Sequence, residues 1–347
     1  MRVLGKLMQK KGWLWQIGSF ILSFLILFIG LESAAILYVN VTKEELPEYV
    51  DNFDDSNPLY IFDADLGYRL RPNHTDSKIK TNNLGFRDSE DFYLTENASR
   101  KRVLVLGDSM VFGVGVAQDK IFSEILKKES PGYIFINSGV TGYDTVQEYL
   151  VLKRYIDIVK PDVVILFFTE ANDMFMNMRG DQFLPRAWVH DGKLNIDHAR
   201  HRSFAPWYKK LVFYRLLDKH IIWGRDPSYF FNKAAFLVFG KHSNPFRVTK
   251  AILHEMGNLC RQHNLPLIIM DIPSPNQLKY RFFSRSRQDF LHEISSEEGF
   301  SYYDLANYYP LQYSEIFLPH DSHYNERGHK FIASLVMKIL LVDFNKQ

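Results

Sequence analysis

Val103-Leu104-Val105-Leu106 runs directly into Gly107-Asp108-Ser109-Met110, an apolar, β-branched stretch that stops at a glycine and two short polar residues. A run this short, with no polar residue at alternate positions, reads as a strand buried on both faces. Four runs of the same character follow, at 133–136, 163–168, 267–270 and 300–303. Segments with helical spacing of apolar residues separate them, at about 122–128, 145–159, 248–263 and 288–297, and another closes the chain at 326–341. Strands that alternate with helices are joined by crossovers, so they lie parallel and the helices cover both faces. The expectation is a doubly wound, three-layer α/β/α domain of about five parallel strands over 102–345. Functional groups in such domains gather at the carboxyl ends of the strands, so the residues just after each run are the ones to inspect.

After the first run comes Ser109, with Gly113 and Gly115 close behind. A serine at a strand-to-helix turn can present its hydroxyl and its own N–H to one substrate atom. The same Asp-Ser pair is also what an ordinary turn with a helix cap looks like. The second run ends Asn137-Ser138-Gly139-Val140-Thr141-Gly142, where Gly139 either serves the turn or points its N–H at a bound oxyanion. The third ends Glu170-Ala171-Asn172-Asp173, where Asn172 is either a helix cap or an amide donor.

Ahead of the last helix stands Leu318-Pro319-His320-Asp321-Ser322-His323-Tyr324-Asn325-Glu326-Arg327-Gly328-His329. An imidazole that acts as a base needs a carboxylate to hold its tautomer and stabilise its cation, and Asp321 is near enough to His323 for one loop to supply both. A histidine-rich loop is also a metal candidate. His320, His323 and His329 contain no i, i+4 pair and no His-Glu-x-x-His motif, so no metal site is expected.

Ser109, Gly139, Asn172 and His323 fall in the order of the four blocks of the SGNH (GDSL-like) hydrolases, and over about 102–340 the chain resembles that family. The preceding Leu66-Gly67-Tyr68, Pro72-Asn73 and Asn82-Asn83-Leu84-Gly85-Phe86-Arg87-Asp88 stretches resemble its bacterial, membrane-anchored, envelope-associated subset. The resemblance implies a flavodoxin-like fold with Ser109 as nucleophile, His323 as base and Asp321 as its support. It also implies an oxyanion hole made from the Ser109 N–H, the Gly139 N–H and the Asn172 side chain. Asp108, Asp173 and Glu170 are then expected to contact substrate. Two departures bear on this transfer. The family's usual carboxylate stands three residues before the histidine, which here is His320, whereas Asp321 stands two before. The third block usually reads Gly-x-Asn-Asp, and Glu170 occupies the glycine position.

The first forty residues are built differently. Arg2, Lys6, Lys10 and Lys11 precede an uncharged stretch from Ile17 to Leu31, and apolar residues resume after Glu32 as far as Val39. About 20 residues are needed to cross a bilayer, and basic residues mark the cytoplasmic side. The reading is a cytoplasmic basic tail (1–12) and a single anchor (13–39) that leaves the rest outside a bacterial inner membrane. Ser33-Ala34-Ala35 as a cleavage site is the alternative. Glu32 marks the outer edge of the span or a helix contact inside it. Residues 40–56 are an acidic linker and 57–101 a small β-rich lead-in.

Forty-two Lys+Arg against 40 Asp+Glu leave a net charge of +2, which gives no reason to expect nucleic-acid binding. The single cysteine, Cys260, excludes an internal disulfide and is read as core packing. No cofactor is expected. Some ninety-five residues separate the third and fourth runs, far more than a crossover needs. Residues 186–247 are read as an inserted basic, aromatic cap, with an amphipathic helix over 206–223. Either its aromatics pack on the sheet, or it contacts anionic lipid or an acidic glycan. The functional expectation is a serine esterase or acyltransferase acting on small acyl groups of an extracytoplasmic glycan. A lipase or lysophospholipase at the membrane surface and a non-catalytic glycan-binding scaffold are the alternatives.

Overall fold

The computed structural model describes residues 2–43, 58–94, 99–178, 184–199, 211–217, 227–280, 285–310, 312–319 and 321–344. The chain divides into two compact units, one of 1–52 with 203–225 and the other of 53–202 with 226–347. The first is dominated by α1 (Arg2–Thr42). Within α1, Trp15–Thr42 is a stretch of 28 residues with mean hydropathy 2.4, long and apolar enough to cross a membrane.

The larger unit opens with an antiparallel hairpin, β1 (Tyr60–Asp63) and β2 (Gly67–Leu70). Then follow β3 (Lys101–Leu106), α2 (Ser109–Phe112), α3 (Phe122–Glu129), β4 (Tyr133–Asn137), α4 (Thr145–Val159), β5 (Val163–Phe168) and α5 (Glu170–Asp173). An antiparallel hairpin, β6 (Arg186–His190) and β7 (Lys193–Asp197), turns through Asp191 and Gly192, both at positive φ, as two-residue hairpin loops require. In the first unit lies α6 (Val212–Leu217). The larger unit then resumes with α7 (Pro227–Phe239), α8 (Asn244–Gln262), β8 (Leu267–Asp271), α9 (Pro275–Lys279), α10 (Arg285–Glu298), β9 (Ser301–Asp304) and α11 (Glu326–Phe344).

The five strands β4-β3-β5-β8-β9 form one parallel sheet in that order. Alternate strand residues separate into two cores because side chains point to opposite faces. Leu104, Leu106, Val164, Leu166 and Ile269 pack with α4, α8 and α10, whereas Val103, Val105, Ile165, Phe167 and Ile268 pack with α3 and α11. The chain steps from β3 to β4 on one side and to β5 on the other, so the topological switch point lies between β3 and β5, where open α/β sheets bind ligands. α4 begins where expected because Asp144 and Gln147 form a reciprocal capping box, and it ends on Lys160 in the left-handed conformation. Cys260 is buried in α8, and burial pushes its thiol up to about 12.

The lead-in is fastened rather than draped. Arg154 of α4 holds Asp63 through both guanidinium nitrogens, at 2.6 and 2.8 Å. Buried Arg87 spends its donors on the end of α2, the loop that follows it and the lead-in itself: Nη1 on the carbonyls of Phe112 and Gly113, Nη2 on those of Lys78 and Val116, and Nε on Gln118. Burial pulls its pKa down to about 10. Arg87→Ala strips partners from four carbonyls at once, and a loss of about 3–5 kcal/mol is expected in urea unfolding. Arg87→Lys, which lacks the planar fork, should recover little of it. Near-complete recovery by lysine would show that charge, not geometry, holds this loop.

The inserted stretch is not one body. β6, β7 and α7 belong to the larger unit, where α7 packs on α8 and the Asn232 amide donates to the Phe175 carbonyl at 2.8 Å. Residues 203–225 cluster with the N-terminal helix. Of the amphipathic helix expected over 206–223, helix is described at Val212–Leu217, and 206–210 and 218–223 lie outside the described residues. Glu32 does make a helix contact: its two carboxylate oxygens accept from Val212 N and Phe213 N.

Candidate active site

Ser109 is the first residue of α2, at the carboxyl end of β3, and is 8% exposed. The turn is tight: a Cβ on Gly107 would come within 2.3 Å of Val111 Cγ2. Asp108 caps α2 by accepting from Met110 N at 2.8 Å. The loop before α11 brings an imidazole to this turn from 214 residues away. His323 Nε2 lies 2.8 Å from Ser109 Oγ, and His323 Nδ1 lies 2.7 Å from Asp321 Oδ1, which also accepts the His323 backbone N–H at 3.1 Å. The spacing of two is what permits this double use, since the carboxylate folds back on its own turn. Burial pushes the Asp321 carboxyl up, but the His323 charge and the His323 and Ser322 N–H groups together outweigh it and hold the group below its ordinary range. A carboxylate that stays ionised beside Nδ1 leaves Nε2 free to take a proton.

Gly139 ends the turn after β4, and only glycine fits there: a Cβ would meet Phe112 N at 2.5 Å and Val111 Cβ at 2.6 Å. Its N–H is donated to Asn137 Oδ1 at 3.1 Å. Asn137 is itself fixed by donating to the Val111 carbonyl and Ser123 Oγ. Asn172, on α5 after β5, donates one amide hydrogen to Asp108 Oδ2 at 2.5 Å, which leaves its second available.

Asp108 and Asp173 do not line the site as expected. They are 1% and 0% exposed, and both are tied inward, Asp108 to Met110 N and Asn172 and Asp173 to Thr169 N. They brace the turns instead. Glu170 is partly exposed but also committed, accepting from Gln277 Nε2 and standing 3.6 Å from Arg287 Nη1. Arg287, wholly buried, holds Asp271 at 2.8 Å, and Asp271 is pushed up to about 6 by burial against the pull of that guanidinium. Glu170 thus ties α5 to α9 and α10.

His329 is buried, with Nδ1 accepting from Phe122 N, and burial followed by the charges of Arg87 and His323 pushes it down to about 3. It is a neutral packing residue. His320 lies outside the described residues, and among the described residues no group of three His, Cys, Asp or Glu is arranged to hold a metal.

Glu148 of α4 escaped the sequence reading. It is 1% exposed beneath the turns, and burial, then the charges of Asp173, Asp108 and Asp144, push its carboxyl well up. Asp173, equally buried, is pushed up as well, by burial and then by the charge of Asp108, so ionising both carboxyls beneath the turns is costly. The native state keeps a proton that the unfolded chain releases above 4.5. Stability therefore falls as pH rises above that value, by about 1.4 kcal/mol per pH unit until the folded pKa is reached. Glu148→Gln removes the slope. Its stability relative to wild type should rise with pH above about pH 5 in thermal unfolding, and parallel curves would contradict a neutral Glu148.

No protein-family model and no curated protein matches the chain. Among solved structures, the psychrotrophic esterase EstA from Pseudoalteromonas sp. aligns over 71% of this chain and 99% of its own, with 13% identity and a TM-score of 0.43. The lipase/acylhydrolase from Enterococcus faecalis aligns over 69% and 95%, with 14% identity and a TM-score of 0.41. A member of the lipolytic protein G-D-S-L family from Veillonella parvula aligns over 69% and 97%, with 14% identity and a TM-score of 0.40.

Proposed function

We propose that the chain is an SGNH-type serine ester hydrolase or O-acyltransferase, anchored in a bacterial inner membrane by α1, that acts on small, acetyl-like acyl groups of an extracytoplasmic glycan. The observation that carries the proposal is the continuous run from Ser109 Oγ to His323 Nε2 at 2.8 Å and from His323 Nδ1 to Asp321 Oδ1 at 2.7 Å.

In this reading His323 Nε2 takes the Ser109 proton as Oγ attacks the ester carbonyl. The proton then passes to the departing alcohol and the acyl group stays on Ser109. Water or a sugar hydroxyl, deprotonated by the same imidazole, attacks the acyl-enzyme and regenerates Ser109. The developing oxyanion is met by the Ser109 N–H and the second amide hydrogen of Asn172. The Gly139 N–H joins them by sharing or leaving its bond to Asn137, which makes Asn137 a positioning residue.

The apolar α1 and the aromatic, basic composition of 201–250 favour a second reading, a lysophospholipase. The two separate on substrate. Purified full-length protein in detergent is expected to release acetate from an O-acetylated polysaccharide faster than it releases fatty acid from a lysophospholipid, at matched ester concentration. The reverse order would favour the lipid enzyme, and transfer of acetyl to added oligosaccharide would mark a transferase.

A further inference from the structure

Glu32 is the only charged residue between Lys11 and Lys43. An ionisable group in a spanning helix is expensive unless partnered, and Glu32 is fully engaged: Oε1 accepts from Val212 N at 2.8 Å and Oε2 from Phe213 N at 3.0 Å. Those two N–H groups open α6 and have no acceptor within their own helix. Each partner therefore satisfies polar atoms that the other would leave bare in an apolar medium.

A crossing of about 20 residues that starts at Ile17 ends near residue 36, which puts Glu32 roughly 6 Å inside the outer hydrocarbon boundary. Leu211 and α6 read Leu-Val-Phe-Tyr-Arg-Leu-Leu, and Phe213 is 36% exposed. The neighbouring α1 side chains Phe24, Leu25, Ile29, Ile36 and Leu37 are exposed by 43% or more. Water is a poor medium for so much bare apolar surface on two adjoining helices. The flanking sequence brings Trp207 and Trp223 with Lys209, Lys210 and Lys219, the aromatic and cationic composition of a bilayer interface.

We infer that residues 211–217 lie in the extracytoplasmic leaflet of the bilayer, docked on α1 through Glu32, as a second membrane contact of this chain. The inference rests on α1 spanning the membrane. It gives the insertion a purpose other than a lid, because the chain enters and leaves the membrane contact from within the esterase-like unit. That unit is then tethered through the insertion as well as through the linker.

The test uses full-length protein with Cys260→Ala in phosphatidylethanolamine–phosphatidylglycerol vesicles, with a nitroxide at Leu27→Cys, Phe213→Cys or Lys193→Cys. Collision rates with oxygen, which concentrates in lipid, and with an aqueous nickel chelate report depth. The Phe213→Cys label should be oxygen-rich and nickel-poor, like Leu27→Cys and unlike Lys193→Cys at the exposed β6–β7 turn. Adding Glu32→Leu should raise nickel collision at position 213 severalfold while leaving position 27 in lipid. A nickel-accessible Leu27→Cys would overturn the anchor reading and the inference with it. Position 27 in lipid with position 213 as accessible as position 193, or indifferent to Glu32→Leu, would overturn the inference alone.

Discussion

Ser109→Ala is expected to lower kcat for aryl acetate hydrolysis by about 10⁴-fold or more, with the thermal unfolding curve unchanged. The expectation of intact folding comes from the surroundings of Oγ: its hydrogen-bond partner is His323 Nε2, which lies on a partly exposed loop and can turn to water. Loss of the hydroxyl removes the proposed nucleophile and nothing that holds the turn, since Asp108 and Gly107 shape it. His323→Ala should cost a similar factor. Because nucleophile and base act as one unit, the double variant should lose little more than either single one. Activity that survives Ser109→Ala would remove the assignment, and additive losses would mean that the two residues act in separate steps.

Asp321→Asn is expected to lower kcat by roughly 10²- to 10⁴-fold with little change in KM. Asp321 Oδ1 accepts both the ring and the backbone N–H of His323. An asparagine there turns an N–H toward Nδ1 and favours the tautomer that protonates Nε2, which then cannot accept the Ser109 proton. The carboxylate is 41% exposed, so water can take part of its place, and the loss is set below that for Ser109. Asp321→Glu, too long for a two-residue turn, should not restore activity. A full-rate Asp321→Asn enzyme would locate the support of the base elsewhere.

The sheet was legible because its signal is local. All five strands stand within two residues of their apolar runs, and α4 begins and ends where the spacing put it, since burial on both faces and capping chemistry leave their marks on neighbouring residues. Ser109, His323 and Asp321 were singled out by type and order, and the structure brings these three side chains into contact. Their braces were not. Arg87 reaches carbonyls up to 29 residues on, Asn137 holds the Gly139 N–H, and Glu148 meets Asp173 across two turns. Such pairings follow no period, and a buried arginine or glutamate looks in sequence like a solvated one. Asp108 and Asp173 were misjudged for the same reason: a carboxylate beside a nucleophile reads as a substrate contact until its burial is known. The contact between Glu32 and Val212, 180 residues apart, left no mark in the sequence either.

Treatment of the full-length protein with a fluorophosphonate, followed by peptide mass spectrometry, tests the Ser109–His323–Asp321 assignment most directly. A single phosphonyl adduct on the peptide that contains Ser109, absent in Ser109→Ala and much slower to form in His323→Ala, is the predicted result. No adduct at Ser109 under conditions that label a known serine esterase to completion, or the same adduct on Ser109→Ala, would contradict it.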